Sequence, residues 1–130
     1  MKVRTMKTTT ILLILFSVGL SAGAQLLLKY GMSSAPIQRI LAVGNPGELI
    51  RTVACNGYVI AGLLLYGFGA LVWLLVLSRI DVSLAYPFVG LGIVITMILA
   101  PLFLGETLTM PRILGGGLVV AGICILSLRG

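Results

Sequence analysis

Four long apolar runs divide the chain, and charged residues fall only between them or at their edges. The uncharged runs are Thr8–Leu28, Thr52–Ser78, Val82–Gly105 and Ile113–Leu128, of 21, 27, 24 and 16 residues. A helix crossing a bilayer needs about 20 predominantly apolar residues, with a range of roughly 17–25. The first three runs meet that length directly. The fourth meets it if its helix begins near Thr109, with Arg112 snorkelling its guanidinium to the interface. Strands of a membrane barrel would alternate polar and apolar residues, and these runs do not. A lipid-facing backbone must satisfy its hydrogen bonds internally, which helices do. The pattern predicts an all-α integral membrane protein with a single transmembrane domain over residues 1–130 and four spans at about 9–30, 54–77, 82–104 and 109–128.

The connections differ in kind. Ser78-Arg79-Ile80-Asp81 is tight and joins antiparallel helices, and Glu106–Arg112 is also short. The loop over 32–53 is long and holds Pro36, Ile37, Ile40, Leu41 and Gly44-Asn45-Pro46-Gly47, a pattern that predicts a short interfacial helix followed by a turn. At the other end, basic Met1–Lys7 precedes an apolar stretch in which Ser21-Ala22-Gly23-Ala24 resembles a signal-peptidase site. The apolar stretch continues past that site through Leu28, so it is taken as a span.

Composition agrees with the pattern. Hydrophobic residues make up 59% of the chain and charged residues 9%, against about 25% charged in soluble domains. The net charge of +6 comes from isolated bases beside apolar runs, which is juxtamembrane charge and no nucleic-acid face. With the N-terminus inside, Lys2, Arg4, Lys7, Arg79 and Arg129 lie on the cytoplasmic side, and Lys29, Arg39, Arg51 and Arg112 lie on the other. Five against four places the N-terminus in the cytoplasm by a narrow bias that leaves dual topology open. Cys55 and Cys124 fall near opposite faces and are small apolar packing residues. There is no histidine, so no metal site and no cofactor is expected.

The candidate chemistry lies on the spans. Ser17, Ser21, Gln25 and Lys29 recur every four residues along one face of the first helix. Such a strip faces protein or a wet cavity and not lipid. It is either a hydrophilic path, with Lys29 gripping an anionic group, or a set of interhelical hydrogen bonds with Lys29 snorkelling. Tyr58, Gly62, Tyr66, Gly69 and Trp73 share a face of the second helix, as a groove lining or as helix packing with interfacial aromatics. The third span holds Tyr86, Pro87, Gly90, Gly92, Thr96 and Pro101, and the two prolines predict kinks in a deformable helix. On the fourth, Gly115 and Gly122 fall on one face and predict a helix seam, as between subunits of a dimer. The acids Glu48, Asp81 and Glu106 stand outside or at the edge of the runs. No catalytic set is recognisable, so an enzyme is not expected.

From about Gly19 onward the chain resembles the drug/metabolite transporter superfamily in its small four-helix form. The carrying stretches are Ala24–Lys29, Trp73–Leu77, Ala85-Tyr86-Pro87, Gly90–Val94, Gly105–Leu108 and Gly115–Gly122. Small multidrug resistance exporters carry a glutamate eight residues before the lysine, where this chain has Ser21, and proton-coupled export of cationic drugs needs that acid. In Gln25, Lys29, Trp73–Leu77, Ala85–Pro87, Glu106, Pro111 and Arg112 the chain is similar to the small subunits of the flippase for aminoarabinose linked to undecaprenyl phosphate. The resemblance implies movement of a lipid-linked sugar across the cytoplasmic membrane by a homodimer or a heterodimer with a paralogue. It also implies a substrate site drawn from Ser21, Gln25, Lys29, Tyr66, Tyr86, Glu106 and Arg112. Export of a small polar or cationic metabolite is an alternative, and a non-transporting membrane partner of a glycosyltransferase is another.

Overall fold

The computed structural model describes residues 7–128; Lys2, Arg4 and Arg129, counted above for orientation, lie outside them. The chain forms α1 (Thr8–Met32), α2 (Ala35–Val43), α3 (Pro46–Ala54), α4 (Gly57–Leu77), α5 (Val82–Ala85), a 3-10 turn Tyr86–Phe88, α6 (Val89–Leu104) and α7 (Met110–Leu128). Among the described residues, four helical stretches are long and apolar enough to cross a membrane: α1, α4, the combined stretch Val82–Leu104, and α7. The fold is therefore all-α with four membrane-spanning segments, as the hydropathy pattern predicts. The 25 residues of α1 extend about 37 Å at 1.5 Å per residue, enough for a tilted crossing. They continue unbroken through the Ser21–Ala24 stretch.

α1 is the helix on which the others are assembled. It packs along its length against antiparallel α4, and on another side against α6, while α7 leans on α6. Close approach in the α1–α4 seam depends on glycine. Gly31 sits on Val59 and Asn56, Gly62 on Leu28, and Gly69 on Leu20 and Ser17. At one end of the bundle Ile14, Val18, Val76 and Ala85 form a buried cluster, with Trp73, Phe88 and Ile95 packed around it.

Helix ends follow from local chemistry. Asn56 accepts from the Tyr58 and Val59 amides and so caps α4. Its amide nitrogen donates to the Gly31 carbonyl and to Ser34 Oγ. Gly44 and Gly105 take positive φ (79° and 66°) and end α2 and α6. The loop over 32–53 differs from its expectation of one helix and a turn, because the segment after the turn is a second helix, α3. Asn45 caps it, its side chain accepting from the Glu48 amide, and Pro46 occupies its first turn.

The third span is the broken one. Pro87 lies in the 3-10 turn that separates α5 from α6, and Pro101 lies inside α6. Pro101 offers no N–H to the carbonyl one turn back, and Thr96 donates its hydroxyl to the Gly92 carbonyl at 2.8 Å. Both features favour bending of this helix.

A cleft between the second and third spans

α4 and α6 both lean on α1, and the space between them is a cleft of about 680 Å³. That is within the range of about 300–1,000 Å³ usual for ligand sites. The floor is α1, which presents Ser17, Ser21 and Gln25. These are three of the four members of the polar row, brought to one surface by their four-residue spacing. Ser17 is 4% exposed, and its hydroxyl donates to the Gly69 carbonyl at 2.9 Å. It ties floor to wall as well as lining the space. Ser21 is half-buried and Gln25 is exposed.

The walls are apolar and aromatic. α4 contributes Tyr66, Ala70 and Trp73, and the third span contributes Tyr86, Val89, Ile93, Met97 and Pro101. From Tyr86 to Pro101 the cleft follows the third span for about 20 Å, most of the thickness of a bilayer core. One end is charged. Gly105 reverses the chain at the end of α6, and from there Glu106 and Arg112 reach the cleft. Arg112 also donates to the Thr107 carbonyl at 3.1 Å, a bond that bridges the start of α7 and the loop before it.

Of the site residues expected from sequence, Ser21, Gln25, Tyr66, Tyr86, Glu106 and Arg112 share this cleft. Lys29 is not among its lining residues. It is exposed in the last turn of α1, about 6 Å beyond Gln25 along the axis. The aromatic–glycine face of the second span is divided. Gly62 faces α1, Gly69 faces α1 and also borders the cleft, Tyr66 and Trp73 face the cleft, and Tyr58 pairs edge-on with Tyr30 at 4.7 Å outside it. Gly115 and Gly122 are away from the cleft, with nothing near the position a Cβ would take. Met97, Ala70 and Ala100 are lining residues that sequence reasoning did not select, since apolar residues on apolar spans carry no signal of their own.

Four membrane spans around a polar-floored cleft make this a multi-pass integral membrane protein built as a transporter. The chain belongs to the EamA-like transporter family, whose model matches residues 3–128. Among its relatives, the probable 4-amino-4-deoxy-L-arabinose-phosphoundecaprenol flippase subunit ArnE of Pseudomonas fluorescens is 30% identical over 118 residues, 91% of this chain and 96% of the relative. The probable 4-amino-4-deoxy-L-arabinose-phosphoundecaprenol flippase subunit ArnF of Erwinia tasmaniensis is 32% identical over 123 residues, covering 89% and 92% of the two chains. An uncharacterized protein of Sinorhizobium fredii is 31% identical over 121 residues, covering 92% and 96%. No solved structure matches the chain.

Proposed function

We propose that this protein is a subunit of a flippase that moves a lipid-linked sugar across the cytoplasmic membrane, the cargo being a polyprenyl-phosphate glycan such as undecaprenyl phosphate–aminoarabinose. The observation that carries the reading is the chemical grading of the cleft. A hydrogen-bonding floor (Ser17, Ser21, Gln25) runs to a charged end (Glu106, Arg112) between apolar and aromatic walls. Sugar hydroxyls suit the floor, and a phosphodiester suits Arg112, whose guanidinium pairs with phosphate oxygens strongly at low dielectric. Tyr66 and Tyr86 flank the cargo. Lys29 acts from outside the cleft, drawing the anion toward the Arg112 end. The names of the relatives agree with this cargo.

The N-terminus is cytoplasmic in this reading, which sets the Arg112 end on the far side of the membrane. A second subunit, an identical copy or a paralogue, packs on the uncovered Gly115–Gly122 face of α7. The test is flipping of a fluorescent polyprenyl-phosphate sugar in proteoliposomes. Arg112→Ala removes a charge-assisted contact worth about 1.5–3 kcal/mol, so flipping should fall about 10- to 150-fold. Lys29→Ala should cost less, because Lys29 is not a lining residue of the cleft. A folded Arg112→Ala protein that flips at the parent rate would falsify the assignment.

A further inference from the structure

α2 and α3 contribute nothing to the cleft. They form a hairpin of two nine-residue helices set between the first and second spans. Each is two-sided. On α2 the residues Ile37, Ile40 and Leu41 share a face with Arg39 opposite, and on α3 Leu49, Ile50 and Val53 share a face with Arg51 turned away. The polar side of α3 (Glu48, Arg51, Thr52) lines a small hollow with Ser34 and Asn56. The apolar side is incompletely covered within the chain. Ile37 is fully buried and anchors the hairpin, whereas Leu41 is 46% exposed and Ile50 71%.

The position of the hairpin is fixed by its tethers. Only Ser33-Ser34 separates α2 from the end of α1, and only Cys55-Asn56 separates α3 from the start of α4. Those tethers are themselves bonded down. Asn56 donates to Gly31 and Ser34, Ser33 Oγ donates to the Lys29 carbonyl, and Gln38 donates to the Met32 carbonyl. Beside them the Tyr30–Tyr58 pair has the place that aromatic side chains take at a membrane–water boundary. Two spans therefore deliver the hairpin to the membrane surface and hold it within about one helix diameter, roughly 10 Å, of that surface.

We infer that α2–α3 is an interfacial anchor lying flat in the leaflet at that end of the bundle. Ile50 and Leu41 sink to the boundary between headgroups and acyl chains, and Arg39 and Arg51 reach up to lipid phosphates and water. Amphipathic helices with basic polar faces take this position, and long arginine side chains bridge the two environments. The occupant of the exposed apolar edge is the bilayer's own lipid. This inference does not depend on the cargo.

Tryptophan reporters test it. The chain has one tryptophan, so Trp73→Phe gives a silent background, into which Ile50→Trp and Leu41→Trp are placed separately. Both positions are exposed enough to accept the larger ring, and either variant suffices if the other folds poorly. The full chain is reconstituted in phosphatidylethanolamine–phosphatidylglycerol vesicles. Expected is strong quenching by lipids brominated high in the acyl chain and several-fold weaker quenching by iodide present on both sides. Strong iodide quenching with little effect of bromolipid would place the edge in water and overturn the inference. Resistance to both quenchers that disappears as protein is diluted in lipid would show that a second copy covers the edge, which also overturns it.

Discussion

Replacing Gly62 by alanine should force apart the two helices on which the cleft depends. A Cβ at Gly62 would stand 2.9 Å from Leu28 Cγ, 3.0 Å from its Cδ2 and 3.1 Å from its backbone nitrogen. The Leu28 side chain can rotate, but the nitrogen cannot, so α1 and α4 must separate by several tenths of an ångström. Overpacking of this kind costs about 1–3 kcal/mol. It is partly offset by the gain in helix propensity on replacing glycine, up to about 1 kcal/mol. Gly67, on the same helix, has nothing within 4 Å of the corresponding position. Gly67→Ala therefore receives the propensity gain alone, and the difference between the two variants isolates the steric term. Gly62→Ala should be less stable than Gly67→Ala by about 1–3 kcal/mol, or about 5- to 150-fold in unfolding equilibrium constant. Reversible unfolding in mixed detergent micelles, followed by far-UV circular dichroism, measures it. Equal midpoints for the two alanine variants would refute the close α1–α4 approach.

Two further substitutions probe the same framework. Asn56→Ala removes the cap of α4 together with one bond to Gly31 in the last turn of α1 and one to Ser34 in the linker, and loss of the cap alone should cost about 0.5–2 kcal/mol. The Tyr58 and Val59 amides should exchange hydrogen faster, and unchanged exchange there would count against the cap. Ser17→Ala removes the bond to the Gly69 carbonyl; interhelical bonds in membranes average about 0.6 kcal/mol, so the variant should be milder than Gly62→Ala. A loss above about 2 kcal/mol in the same micelle assay would mean that Ser17 does more than this one bond.

The parts of the fold legible in the sequence are those governed by a single solvent. Long uncharged runs can only be spans, and the four-residue spacing of Ser17, Ser21 and Gln25 can only be one helical face. Lys29 extends that spacing in sequence but not into the cleft, because the row reaches the end of the helix there and the wall of the cleft does not follow it. The division of Tyr66 from Gly62 is a tertiary fact. Positions three and four apart lie on neighbouring strips of one helix, and only the placement of two different partners, α1 and the cleft, separates them. The second short helix was readable in part: Asn45-Pro46 followed by Glu48 is a helix start, but the flanking glycines mask it as a turn. The charged end of the cleft depends on the reversal at Gly105, which hydropathy does not register.

The fourfold bonding of Asn56 has an architectural consequence. By joining the end of α1 to the beginning of α4 across Gly31 and Ser34, it closes the base of the excursion between them much as a clasp closes a necklace. The bundle meets the same fixed ends whatever hangs beyond the clasp. This segment is therefore where the chain can change length, shed a helix or accept a fused reporter near Gly44 without altering the four spans. The scaffold carries, in effect, one interchangeable module on an otherwise tightly specified frame.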